Sequence, residues 1–192
     1  MQLTDTMLLS DLHCEEKHDF ESLFDRHWRT VYGILYRLTG NREEAEDLAQ
    51  EVFVRLYRNP PIPRDQLSLG PWLYRVATNL GYNALRKGAR EARRQERVQQ
   101  LADAEEAAGL RAVGPEDASL AEEERRTVRA ALAQLSEREQ ACLVLRHSGL
   151  SYAEVAAAVG VRAGSVGTLL ARAEERFRRV YLGLQGGQNG LH

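Results

Sequence analysis

The chain has 192 residues, enough for one large or two small domains, and 26 basic against 28 acidic residues give a formal net charge of −2. That balance excludes a bulk attraction to polyanions, so any nucleic-acid site has to come from local clustering of charge. Hydrophobic residues make up 43% of the chain and only 5 are proline, which suits packed cores and long helices. Ala, Arg, Glu and Leu recur without strand-type alternation, so the fold class is all-α.

The two cysteines, Cys14 and Cys142, are far apart and form no CxxC pair, a usage that fits a reducing cytoplasm. His13, Cys14 and His18 lie on a polar N-terminal arm, 1–19, with no second ligand cluster, so neither a metal nor a cofactor is read from them. No apolar stretch approaches a membrane span, and the N-terminus lacks the basic and apolar regions of a signal peptide. The sequence therefore predicts a cytoplasmic protein with no membrane partner.

A first helical lobe is predicted over 20–97. Phe20, Leu23, Phe24, Val31, Leu35 and Leu38 repeat with helical spacing, and Gly40 with Asn41 stops that helix. A second helix follows, with Ala45, Leu48, Ala49, Val52, Phe53 and Leu56 facing inward. The loop from Asn59 to Gly70 contains three prolines and cannot continue it. Pro71 suits the first position of a third helix, which runs to about Arg97. From 98 to 124 the composition shifts to Ala, Glu and Asp with two glycines and a proline, the mark of a linker or a weakly ordered helix. A second lobe spans 125–184, and 185–192 reads as a flexible tail.

Within the second lobe, Ser136 with Glu139 and Ser151 with Glu154 are Ser-x-x-Glu capping boxes, each opening an apolar-periodic run. Cys142 lies in the apolar run Ala141 to Leu145 and reads as a small buried hydrophobe. After Val155, Ala156 and Val159, Gly160 breaks the chain, Val161 and Arg162 turn it, and a longer helix begins near Gly164. Two short helices joined by such a turn form a helix-turn-helix, whose second helix enters the major groove of DNA. An ordinary helical hairpin in a small bundle is the plainer alternative.

Three surfaces are candidates for function. On the helix after Pro71, Trp72, Arg75, Asn79, Tyr82, Asn83, Arg86, Lys87 and Arg90 lie away from the apolar stripe Leu73, Val76, Ala77, Leu80 and Ala84. Rings stack on unpaired bases, amides read base edges and cations hold phosphates, so this face suits a single nucleic-acid strand, unless it is a solvated face with Trp72 closing the core. The helix Glu43 to Tyr57 exposes Asp47, Gln50, Glu51 and Arg58, a face better suited to a basic protein than to DNA. The last helix keeps Val166, Leu170, Ala173, Phe177 and Val180 inside and offers Ser165, Thr168, Arg172, Arg176 and Arg179, with Arg162 in the turn. Ser165 and Thr168 sit near a positive helix N-terminus, and Arg172 can reach guanine bidentately.

In order along the chain, AEDLAQEVFVRLYR, GPWLYRVATNLGYNALR and LSEREQACLVLRHSGLSYAEVAAAVGV resemble the extracytoplasmic-function group of bacterial sigma factors, from about Phe20 to Tyr181. The resemblance implies a two-domain sigma factor. Its first lobe would bind the clamp of core RNA polymerase and open the minus-ten element of promoter DNA. Its second would bind the polymerase flap and read the minus-thirty-five element. By the same resemblance Asp47, Gln50, Glu51 and Phe53 fall in the clamp-binding motif. Trp72, Arg75, Asn79 and Asn83 fall in the melting helix, and Ser165, Thr168 and Arg172 in the minus-thirty-five helix. Many relatives are held by an anti-sigma factor, a further partner the resemblance implies. No catalytic constellation is visible, so the chain is not read as an enzyme.

One stretch departs from the family. The usual Gly-Thr-Val-Lys/Arg-Ser-Arg becomes Gly164, Ser165, Val166, Gly167, Thr168, Leu169, which loses two cationic positions, and Ala171 replaces a larger residue. Glycine inside a helix costs about 1 kcal/mol relative to alanine. Weak or altered upstream-element recognition is the expectation. Two rival readings are an autonomous helix-turn-helix regulator and a helical adaptor with degraded DNA binding.

Overall fold

The computed structural model describes residues 17–61, 69–106 and 120–188, and these hold seven helices and no strand. Helix α1, Lys17–Thr39, buries Leu23, Val31, Ile34, Leu35 and Leu38 completely or nearly so. It stops where expected. Gly40 takes a left-handed φ of 67°, and its N–H closes the helix on the Tyr36 carbonyl at 2.9 Å. The Asn41 side chain then accepts from the Glu44 N–H at 3.1 Å, and so starts α2, Arg42–Arg58, one residue later. Ala45, Ala49, Val52, Phe53 and Leu56 form the buried side of α2, with Leu48 packed beside them.

Helix α3, Leu69–Glu106, begins two residues before Pro71. A proline within the first turn is harmless, because the N–H groups there have no intrahelical acceptor. Leu69, Leu73, Ala77 and Leu85 face the core. At Gly81 an added Cβ would run into the Leu38 side chain, so the missing side chain lets α3 lie close against α1. Residues 62–68 of the proline-containing loop, and His13 and Cys14 of the arm, lie outside the described residues.

Both ends of the segment 98–124 are helical, as the helix alternative for it allows. Helix α3 continues nine residues beyond Arg97 to Glu106, and the next helix starts at Leu120. Ala, Gln, Glu and Arg are strong helix formers, and helix propagation from an anchored segment needs no buried face. The four helices of the second lobe are α4, Leu120–Leu132, α5, Glu137–His147, α6, Tyr152–Val159, and α7, Ala163–Gln188. The tail is also more helical than expected, since α7 runs four residues past Leu184.

Both capping boxes form in full. Glu139 accepts from the Ser136 N–H at 2.9 Å while its own N–H donates to Ser136 Oγ at 3.4 Å. Glu154 and Ser151 repeat this at 2.8 and 3.3 Å. Cys142 is fully buried, as its apolar neighbours require, and burial pushes its thiol pKa up. The lobes touch, with α1 and α3 of the first against α5 and α6 of the second, and the buried apolar residues form one cluster.

Candidate nucleic-acid interface

Helices α6 and α7 are bent by 86° at their junction, close to the angle of DNA-reading helix pairs. Gly160 makes the turn, at φ 75° and ψ 42°, a left-handed conformation that side chains resist. Its N–H and that of Val161 both close on the Ala156 carbonyl, at 2.9 and 3.0 Å. Helix α7 then presents Ser165, Thr168 and Arg172 to solvent, with Arg162 exposed just before it. Val166, Leu170 and Ala173 hold its other side in the core, and Phe177 packs against them.

Arg176 shares that outer face but is not aimed at solvent alone. Its Nη1 lies 3.4 Å from Glu139 Oε2. The hydrogen bond from the Ser136 side chain, aided by the Ser136 backbone and the Arg176 charge, holds the Glu139 carboxyl below its usual pKa despite partial burial. A lowered carboxylate pKa means this box stabilises the lobe at neutral pH. That contribution is lost as the pH falls through the lowered value.

Gly167 sits within α7, and a Cβ there would meet only Tyr152 Cε2, at an ordinary 3.8 Å. Gly167→Ala is therefore expected to stabilise the protein by about 0.5–1 kcal/mol, seen as a higher midpoint in urea unfolding. A lower midpoint would show that α7 needs a glycine for packing.

On α3, Arg75, Asn79, Asn83, Arg86, Lys87 and Arg90 are exposed, along one side of a helix whose other side is core. Tyr82 is half-buried, with the Arg86 guanidinium 5.5 Å from its ring centre. Trp72 is also half-buried and packs on the core, so it closes the first lobe as much as it faces outward. Arg75 is engaged. Its Nε donates to the Ala158 carbonyl at 2.7 Å and its Nη2 to the Ala157 carbonyl at 2.6 Å, both in the last turn of α6.

On α2, Asp47 and Gln50 are exposed, and Glu51 is partly so, 2.8 Å from Arg55. Phe53 is 2% exposed, its ring 4.7 Å from Phe24 and 5.9 Å from Trp28. It cannot offer its ring to a partner as Asp47 can. Its place is behind the face, where it fixes α2 on α1. Val54, 39% exposed, stands one turn beyond Gln50 and joins Asp47 and Gln50 on one line. Its i+4 spacing from Gln50 is the sequence signal that places it there.

Two family models match the chain, Sigma-70 region 2 over residues 23–91 and Sigma-70, region 4 over residues 125–177. SigW of Bacillus subtilis, an extracytoplasmic-function RNA polymerase sigma factor, is 31% identical over 171 residues, 83% of this chain and 87% of that protein. The chain belongs to the extracytoplasmic-function sigma factors. The sigma-H factor of Pseudomonas aeruginosa is 32% identical over 184 residues, covering 93% of this chain and 94% of that one. Among solved structures, CnrH in complex with the cytosolic domain of CnrY aligns with a TM-score of 0.60 at 18% identity, over 92% of this chain and 96% of that chain. RpoE from Bartonella quintana, in complex with the anti-sigma factor NepR, aligns with a TM-score of 0.52 at 21% identity, over 84% and 96%. These two likenesses concern the fold.

A sigma factor binds core RNA polymerase and directs promoter-specific initiation of transcription, and this is the function of the chain. Region 2 falls on α1 to α3, and region 4 on α4 to α7. Among the described residues of this sigma factor, no single helix is long and apolar enough to cross a membrane.

Proposed function

We propose that this sigma factor works through three separate surfaces. Asp47, Gln50 and Glu51, backed by Phe53 and extended by Val54, meet the polymerase clamp. Arg75, Asn79, Tyr82, Asn83, Arg86, Lys87 and Arg90, with the outer edge of Trp72, take the minus-ten element and its unpaired strand. Arg162, Ser165, Thr168 and Arg172 read the minus-thirty-five element, with Arg176 divided between DNA and Glu139, while the second lobe rests on the polymerase flap. The domain bounds follow the same reading, 20–97 for the first unit and 125–184 for the second. The polymerase supplies the chemistry, so no reaction is assigned to this chain, and it works in the cytoplasm. An anti-sigma factor completes the set of partners.

The observation that carries this reading is the single exposed line of amides and cations on α3, set directly on the buried core of the first lobe. Amides four residues apart address one short stretch of strand, and the arginines and lysine further along face phosphates. Permanganate footprinting of promoter complexes, comparing alanine variants along α3, tests it.

The minus-thirty-five surface is thin. Arg162 and Arg172 are its free-standing cations apart from Arg176, so roughly three phosphate contacts give a salt slope near −3. The full chain without polymerase is therefore expected to show no tight, sequence-specific duplex binding at physiological salt in a fluorescence anisotropy titration. Nanomolar specific binding by the free chain would favour the autonomous regulator.

A further inference from the structure

The contact between Arg75 and α6 joins two parts of the protein that the proposed function uses separately. Its guanidinium reaches across the lobes to the Ala157 and Ala158 carbonyls, at 2.6 and 2.7 Å. These belong to the last turn of α6, where helix carbonyls lack intrahelical donors and the helix dipole is negative. A guanidinium fork there makes two charge-assisted hydrogen bonds at once. Gly160 lies beside this contact, and a Cβ there would sit 3.8 Å from Arg75 Nη2, an ordinary distance, so the approach of the guanidinium does not depend on the glycine.

Two other points of contact surround this one. Arg129 of α4 lies against Gly40, in the turn between α1 and α2. Leu38, Thr78, Asn79 and Tyr82 of the first lobe form a small cleft with Glu137 and Gln140 of the second. Gln140 is 1% exposed, and among the described residues nothing hydrogen-bonds either polar atom of its amide. A buried, unpaired amide weakens the contact that contains it. The interface is therefore held by a strong polar grip at one place and undermined at another, a combination suited to opening.

We propose that Arg75 is a latch that holds the two lobes closed in the free protein, and that closure and use of the minus-ten face exclude one another. In the closed form Arg75 is committed to α6, and Asn79 and Tyr82 line the cleft beneath Gln140. Promoter phosphates offer the guanidinium the same kind of bond with a full negative charge. Polymerase and promoter thus draw the protein into the open form by binding only that form. The exclusion rests on the assignment of Arg75 to the minus-ten face. The latch itself does not.

Small-angle X-ray scattering of the full chain, without DNA or polymerase, reads closure directly. The native chain is expected to be compact. Arg75→Ala, a change at an exposed position that leaves the core intact, and Gln140→Glu, which puts a charge into the cleft, are both expected to raise the radius of gyration. Gln140→Leu removes the unpaired amide and is expected to stay compact and to slow formation of the open promoter complex about tenfold. Circular dichroism confirms that each variant is folded. A native chain that is already extended, or an Arg75→Ala chain as compact as the native one, overturns the latch. Slowing by Gln140→Leu supports the exclusion, and an unchanged rate overturns it. Because scattering involves no DNA, failure of the minus-ten assignment appears only as Arg75→Ala transcribing like the native chain, with the expansion still observed.

Discussion

Asn79→Ala combined with Asn83→Ala is expected to leave binding to core polymerase intact and to cut strand opening on linear promoter DNA by roughly a hundredfold or more. Both side chains are exposed, one helical turn apart on α3, while Ala77, Leu80 and Leu85 carry the packing. Alanine is a better helix former than asparagine, so the helix does not suffer. The loss is of two base contacts worth about 1–3 kcal/mol each. Those contacts offset the few kcal/mol needed to unstack and unpair a base. A template with a premelted bubble has that energy already supplied, and much of the activity should return on it. Permanganate footprinting of unpaired thymines, run beside run-off transcription on both templates, makes the comparison. Normal opening by the double variant, or an equal loss on the bubble, would show that this face does not melt DNA.

Asp47→Arg is expected to weaken core-polymerase binding by about 1–3 kcal/mol, roughly ten- to a hundredfold, while the fold survives. Asp47 is exposed on α2, and the residues that hold α2 in place, Ala45, Ala49, Val52 and Phe53, point the other way. An arginine there would add a cation to a face proposed to meet a basic partner. The nearby Glu51–Arg55 pair is half-exposed and adds little stability of its own, so disturbing it leaves the helix in place. Circular dichroism checks the fold and a fluorescence titration with core polymerase checks the affinity. Unchanged affinity would remove this face from the clamp contact.

Much of the fold could be read locally. Both capping boxes depend on a Ser and a Glu three residues apart, and both formed as the spacing implied. Gly40 and Gly160 marked turns because a left-handed backbone favours glycine, and both adopt it. Where neighbouring residues carried mixed signals, the outcome was less legible. The Ala- and Glu-rich run after Arg97 lacks an apolar stripe yet has high helix propensity, and propensity prevailed as far as Glu106. Phe53 lies both on the apolar period of α2 and in the stretch that the family resemblance proposes for the clamp, and the core took it. Val54, an apolar residue between core positions, looks like core in the sequence yet is 39% exposed.

The meeting of the lobes had no sequence signal. The groups that accept from Arg75 are backbone carbonyls 82 and 83 residues away, and every residue has one. Which carbonyl lacks a donor is decided by where α6 ends, and which arginine reaches it is decided by tertiary packing. The pairing of Arg176 with Glu139, 37 residues apart, was hidden for a related reason. Glu139 is the second half of a capping box, yet a carboxylate can accept more than one hydrogen bond.

Reconstituted transcription, with purified core polymerase, this chain and a library of genomic fragments, reads promoter-directed initiation directly. Run-off transcripts are expected to start at a small set of promoters and to require both the chain and core polymerase. They are expected to vanish on linear templates with the Asn79 and Asn83 double variant. Transcription no different from core polymerase alone, with the chain folded and present in excess, would contradict its role as a sigma factor.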